Sequence, residues 1–305
     1  MPAHSHHDGT RAFAWVTLIN LAYTVLEAGY GFATDSLALL SDALHNFGDV
    51  LGLGLAWAAA VLARRPPSGR HTYGWRRATL LSPLANAVLL VAFSGALAWE
   101  AVRRFAHPPE VPGLPVMAVA AVGIVINLGA AWLVRDGHAH DLNRRGAFLH
   151  LVADAAVSLA AVLAGAGIWW LGWAWLDPAT ALLVAAVVAV GSFGLLRDAF
   201  EAAMDAVPRG IDRTEVQAWL EGQPGVSAVH HLHIWSLGAG EIALTAHLVR
   251  DGERDHDQFI DRLNDELDAR FGINHPTLQI ERGDAAAHDC SGRAPHGGHH
   301  GHAHD

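Results

Sequence analysis

Two short stretches hold the residues most able to do chemistry. Leu44-His45-Asn46-Phe47-Gly48-Asp49 and Leu149-His150-Leu151-Val152-Ala153-Asp154 each set an aspartate four positions after a histidine, inside runs otherwise suited to hydrocarbon. A spacing of four stacks the two side chains on one helix face. Two such faces opposed supply two nitrogens and two oxygens, a tetrahedral donor set that suits Zn²⁺. The two carboxylates also cancel the charge of a divalent ion, so the loaded site is formally neutral. The blander alternative is two separate His–Asp hydrogen-bonded pairs that only tie helices together. A charged side chain near a bilayer centre costs about 2.5–3.5 kcal/mol even on a lenient insertion scale. That the pattern occurs twice, histidine first both times, favours the metal site.

These faces need elements to carry them. Of the 305 residues, 52% are hydrophobic and only 16% are charged, against a usual 45–50% and about 25%. Mean hydropathy is +0.24, an average over two unlike parts. Residues 11 to about 200 are rich in Ala, Leu, Val, Gly and Trp, whereas 205–283 has ordinary soluble charge density. Six apolar runs, about 12–33, 37–63, 79–102, 114–134, 146–170 and 177–198, each reach the roughly 20 residues that a membrane span requires. Arg64-Arg65-Pro66-Pro67 stops the second, and Asp177-Pro178 suits a first-turn proline opening the sixth.

The chain has no lysine, so arginine sets the orientation. Arg64, Arg65, Arg70, Arg76 and Arg77 follow the second run, Arg135, Arg144 and Arg145 follow the fourth, and Arg197 ends the sixth; the opposite side has Arg103 and Arg104. This bias places both termini in the cytoplasm, and Trp169, Trp170, Trp173 and Trp175 form an outer interfacial belt. The start does not read as a signal peptide, since His4, His6, His7 and Asp8 precede any apolar run. A net charge of −10 argues against a nucleic-acid partner. A single cysteine, Cys290, excludes an intrachain disulfide or a CxxC motif.

Beyond Pro208 the pattern predicts a helix over 211–221, strands over 226–236 and 241–249, a helix over 255–271 and a closing strand over 277–281. The order αββαβ describes a small two-layer α+β domain, which dimerisation or a metal would help to stabilise. Twenty-one histidines mark the whole chain, and imidazole is the commonest protein ligand for metals such as zinc. His230, His231, His233, His247, His256 and His275 fall in this domain together with Glu281, where they can converge near a dimer interface. The tails 1–10 and 284–305 and the loop His138-Ala-His140 read as flexible metal collectors. The domain reading is therefore a histidine-rich tail over 1–10, a six-helix transmembrane domain over 11–204, a cytoplasmic domain over 205–283 and a second tail over 284–305.

The segments Ser36-Leu-Ala-Leu-Leu-Ser-Asp-Ala-Leu-His45-Asn-Phe-Gly-Asp49, Arg70-His71-Thr72-Tyr73-Gly74, Asp141 to Asp154, Asp177-Pro178 and Val229-His-His-Leu-His-Ile-Trp235 together resemble the cation diffusion facilitator family of zinc and cation efflux transporters. The resemblance implies an α-helical membrane protein, a Y-shaped homodimer of six-helix bundles with cytoplasmic ferredoxin-like αββαβ domains. It would sit in the bacterial cytoplasmic (inner) membrane and export divalent metal in exchange for protons. Carried over by position, the transport site is His45, Asp49, His150 and Asp154, and histidine at the place of His45 goes with zinc. His230, His247 and Glu281 match a regulatory metal site of the cytoplasmic domain, with His231 and Cys290 as further candidates. No cofactor is implied beyond transported Zn²⁺ and Zn²⁺ at that domain. One departure is the loop between helices 2 and 3, where His71 has no second histidine and the family's extra loop site is not expected.

Metal ligation needs deprotonated donors, so loading releases protons, and two imidazoles suffice for proton–metal antiport. Asn20, Glu27, Asp42, Asn86 and Asn127 read as interhelical hydrogen-bonding groups lining a hydrated cavity, and Gly29, Gly31, Gly48, Gly52 and Gly54 as close-packing positions. The chain is not expected to be an enzyme. An intramembrane metalloenzyme would need HExxH and an open coordination position, and neither is offered. A zinc sensor is the other alternative, which the aspartate-rich intramembrane pattern disfavours.

Overall fold

A computed structural model describes residues 5–134, 142–238, 240–250 and 255–282. The two tails beyond these residues, the loop with His138 and His140, and Cys290 lie outside the described residues. The chain forms two compact units, one of residues 1–62 and 81–200, the other of 63–80 and 201–305.

The first unit is helical. Its elements are α1 (Ser5–Thr34), α2 (Leu37–Ala63), α3 (Ala78–Ala106), α4 (Gly113–Val134), α5 (Leu142–Leu171) and α6 (Leu176–Ala203). All six expected spans fall within these helices. Helices α2 to α6 are long and apolar enough to cross a membrane, and α1 has the same length, 30 residues, as α5. The unit carries large apolar side chains outward: Phe32 and Val190 are each 76% exposed, an arrangement that water would penalise and lipid favours. Many of its buried positions are small or polar, Ala38, Ser41, Asn46, Ala87, Ser158 and Ala181 among them, as in close-packed membrane helices. A Cβ on Gly113 would lie 2.4 Å from the Gly165 carbonyl oxygen, and one on Gly165 would lie 2.8 Å from the Gly113 carbonyl oxygen, so α4 and α5 meet backbone to backbone there. Gly31, Gly48 and Gly52 are also crowded, against Leu40, Leu90 and Asn86. Gly29 and Gly54 are not crowded: among the described residues a Cβ at either would meet nothing within 4 Å.

Helix α2 begins with an unusual clasp. Ser36 accepts from the Leu39 N–H at 3.3 Å in the manner of an N-cap. Asp177, from the first turn of α6, accepts from Ser36 Oγ (2.5 Å), Leu37 N–H (2.8 Å) and Ala38 N–H (3.2 Å). Asp177 is fully buried, and those three donors satisfy its oxygens and the open N–H groups of α2 together. Nearby, Arg104 of α3 holds the backbone carbonyl and carboxylate of Asp35 at 2.8 Å each.

The second unit holds α7 (Arg213–Glu221), β1 (Val226–Gly238), β2 (Glu241–Arg250), α8 (His256–Phe271) and β3 (His275–Glu281), the αββαβ order expected. Asp212 caps α7 by accepting from Thr214 N–H at 2.7 Å, and Gly272 closes α8 in the left-handed conformation that glycine adopts freely (φ 68°). The sheet order is β1-β2-β3, antiparallel between the first two and parallel between the last two. Val216 and Leu220 of α7 and Phe259, Leu263 and Leu267 of α8 share one core with Val229, Leu232, Ile234, Leu244, Ala246 and Leu248. Both helices therefore cover one face of the sheet and leave the other open. Residues 63–80 belong to this unit as well: Arg76 pairs with Glu241, and Arg77 pairs with Asp205 at 2.8 Å.

Candidate metal centres

Helices α2 and α5 bring all four acidic and imidazole groups of the repeated motif together. His45 Nε2 lies 3.1 Å from Asp154 Oδ1, and His150 Nε2 lies 3.1 Å from Asp49 Oδ2. Each imidazole thus pairs with the carboxylate of the opposite helix. Asp154 also reaches His150, with 3.6 Å between its Oδ2 and Nε2. The two rings are 6.0 Å apart and nearly perpendicular. Ligand atoms of His45, Asp49 and Asp154 lie within 4.8 Å of one another. Asp154 is buried, His45 and Asp49 are partly buried, and His150 is exposed.

Behind this cluster lies a buried polar layer. Asp42 accepts from Ser158 Oγ of α5 at 2.9 Å, and Asn46 donates to Glu27 of α1 at 3.3 Å. Tyr23 donates to Glu27 at 2.7 Å, its hydroxyl standing where a Cβ on Gly123 would otherwise be. Asp42, Asn46, Glu27 and Ser158 are fully buried. They link α1, α2 and α5 as interhelical hydrogen bonds, which position the helix faces that carry His45 and Asp154. The sequence reading missed Tyr23, Ser158 and the Ser36–Asp177 contact, since a lone hydroxyl on an apolar helix carries no spacing signal.

In the second unit, His230 and His247 stand opposite each other across β1 and β2. Glu281, at the end of β3, joins them: its Oε2 lies 2.9 Å from His230 Nε2 and its Oε1 lies 2.7 Å from His247 Nδ1. Ligand atoms of the three lie within 4.8 Å of one another. Burial pushes the Glu281 carboxyl up, but His247 and His230 outweigh it and hold the group below its ordinary value. The group is accordingly an ionised donor at neutral pH. His231 adjoins this trio, whereas other histidines of the domain do not join it. His275 sits 3.3 Å from both Glu241 and Arg76, His256 meets Arg282, and His233 is exposed. In the loop after α2, His71 stacks on Trp75 with 4.3 Å between ring centres.

Comparison with known proteins places the chain in a family. Residues 14–202 match the cation efflux transmembrane domain, and residues 208–283 match the cytoplasmic domain of the cation efflux proteins. The chain is 34% identical over 295 residues to a cadmium, cobalt and zinc/H(+)-K(+) antiporter of Bacillus velezensis, covering 94% of this chain and 93% of that protein. It is 33% identical over 312 residues to the zinc transporter ZitB of Escherichia coli, covering 98% and 99%. A metal-bound C-terminal domain of the CzcD transporter from Cupriavidus metallidurans is 36% identical over 23% of this chain and 99% of that one, with a TM-score of 0.22. The chain belongs to the cation efflux family, also called cation diffusion facilitators. It is an integral membrane protein of a transporter family and not an enzyme, and neither the metalloenzyme nor the sensor reading is favoured.

Proposed function

We propose that this protein exports a divalent cation, Zn²⁺ first among them, from the cytoplasm in exchange for protons. The transport site is His45, Asp49, His150 and Asp154. The observation that carries this reading is the crossed pairing of each imidazole with the other helix's carboxylate. Supporting it, ligand atoms of His45, Asp49 and Asp154 lie within 4.8 Å of one another and His150 meets both carboxylates, so two carboxylates would balance a double charge in low dielectric. Neutral imidazoles accept the cation from the cytoplasmic side. On the acidic side each takes a proton, which removes its lone pair from the metal while leaving it paired with a carboxylate.

His230, His247 and Glu281 form a second, regulatory Zn²⁺ site of the cytoplasmic domain. The donors fit: two imidazoles and a carboxylate lie within reach of one ion, and His230 Nδ1 is buried with no hydrogen-bond partner among the described residues. We assign residues 11–204 to the transmembrane domain and 205–283 to the cytoplasmic one, with the histidine-rich tails 1–10 and 284–305 as metal collectors. The molecule works as a homodimer in the bacterial inner membrane with both termini in the cytoplasm.

The test is purified protein in liposomes loaded with a zinc dye, under an imposed pH gradient. Zinc flux that follows the gradient is expected. Zinc binding without flux would refute the exporter.

A further inference from the structure

A regular strand sends successive side chains to opposite faces. Strand β1 does not do so at its histidines. Val229 and Leu232 are both buried in the helix-covered core, and the two residues between them, His230 and His231, are both only partly buried. The pairing with β2 slips between His230 and His233, and His231 has φ 51°, a left-handed conformation uncommon outside glycine. An extra residue in one strand is a bulge, and bulges re-aim side chains. This one turns two consecutive histidines toward the same open face. Strain held at one residue is a mark of a functional site when the surroundings fix it.

The result is a triangle of imidazoles. Ring centres of His230 and His231 are 5.2 Å apart, those of His231 and His247 are 5.1 Å apart, and those of His230 and His247 are 5.2 Å apart. With a metal–nitrogen distance of about 2.0–2.1 Å, three imidazoles on one tetrahedral ion have ring centres about 5.2 Å apart. Glu281 supplies the remaining corner through the oxygens that already touch His230 and His247. His233 stands outside, exposed and 6.5 Å from His231.

We propose that His231 is the fourth ligand, making the cytoplasmic centre a closed His₃Glu site for a tetrahedral divalent ion such as Zn²⁺. A closed four-ligand site is structural or regulatory rather than catalytic, since no position remains for a reactive water. This inference rests on the assignment of His230, His247 and Glu281 as a metal site.

The experiment is histidine footprinting of the full-length protein in detergent with diethyl pyrocarbonate, titrated with Zn²⁺ and read residue by residue by mass spectrometry. His230, His231 and His247 are expected to become protected with one shared midpoint, while His233 stays reactive. His231→Gly keeps the left-handed backbone and removes the ring. In it, His230 and His247 should need at least about tenfold more Zn²⁺ for protection, since even outer-shell losses weaken metal sites by 10–100-fold. Protection of His230 and His247 with His231 still reactive, or an unshifted midpoint in His231→Gly, overturns the fourth ligand and leaves the three-residue site standing. Protection of His233 along with the rest would show indiscriminate surface binding and overturn it too. Protection of none overturns the cytoplasmic site itself.

Discussion

Asp154 touches both imidazoles through its two oxygens, whereas Asp49 touches only one. The two aspartates are therefore unequal. Asp49→Ala and Asp154→Ala should each abolish gradient-driven zinc uptake into inverted vesicles. The milder Asp154→Asn should weaken zinc binding more than Asp49→Asn, as read by calorimetric titration. Equal losses would remove the bridging role of Asp154. The four candidate residues stood out in the sequence because ionisable groups in apolar runs demand a reason, and a spacing of four supplies a shared helix face. Their crossed pairing was not legible. Spacing within one helix stacks His45 over Asp49, and only the approach of a second helix decides that His45 turns to Asp154 instead. The bulge at His231 was hidden similarly. Val229, Leu232 and Ile234 are apolar at a broken interval, which passes for alternation when β1 is read alone.

At the level of elements, the site depends on how helices are seated. Asp177→Ala removes the acceptor for three donors at the start of α2, leaving buried polar groups unpaired. It should destabilise the bundle by about 1–3 kcal/mol, seen as a lower thermal midpoint in detergent, with Asp177→Asn intermediate. Gly165→Val should force α5 from α4 and cost about 1–3 kcal/mol by overpacking. Gly54→Ala, with open space around it, should be neutral by the same measurement. Helix positions and the αββαβ order were readable from apolar runs, capping residues and turn signals. The Ser36–Asp177 contact was not, since the partners are 141 residues apart and neither residue type announces a mate. The open space around Gly29 and Gly54 among the described residues was not readable, because glycine alone does not say which face a neighbour occupies.

For the molecule as a whole, the two proposed centres, one in each unit, imply two separable responses to zinc. Ligand binding to the native state stabilises it by about 2.7 kcal/mol at a hundred times the dissociation constant. Hydrogen exchange should therefore slow in β2 and, independently, in α2 and α5 when zinc is added. Glu281→Ala should erase the change in β2 alone, and Asp49→Ala the change in the helices alone. Loss of both in either variant would show one coupled centre. The capped start of α2 carries a mechanical corollary for the first of these centres. A helix pinned by a buried carboxylate at its first turn can swing only from that end, like a lever on a fulcrum. His45 lies eight residues along from Leu37, or about 12 Å at 1.5 Å per residue. A tilt of about 10° there displaces its ring by roughly 2 Å. That is enough to part the 3.1 Å contact with Asp154 while the Asp177 clasp stays closed.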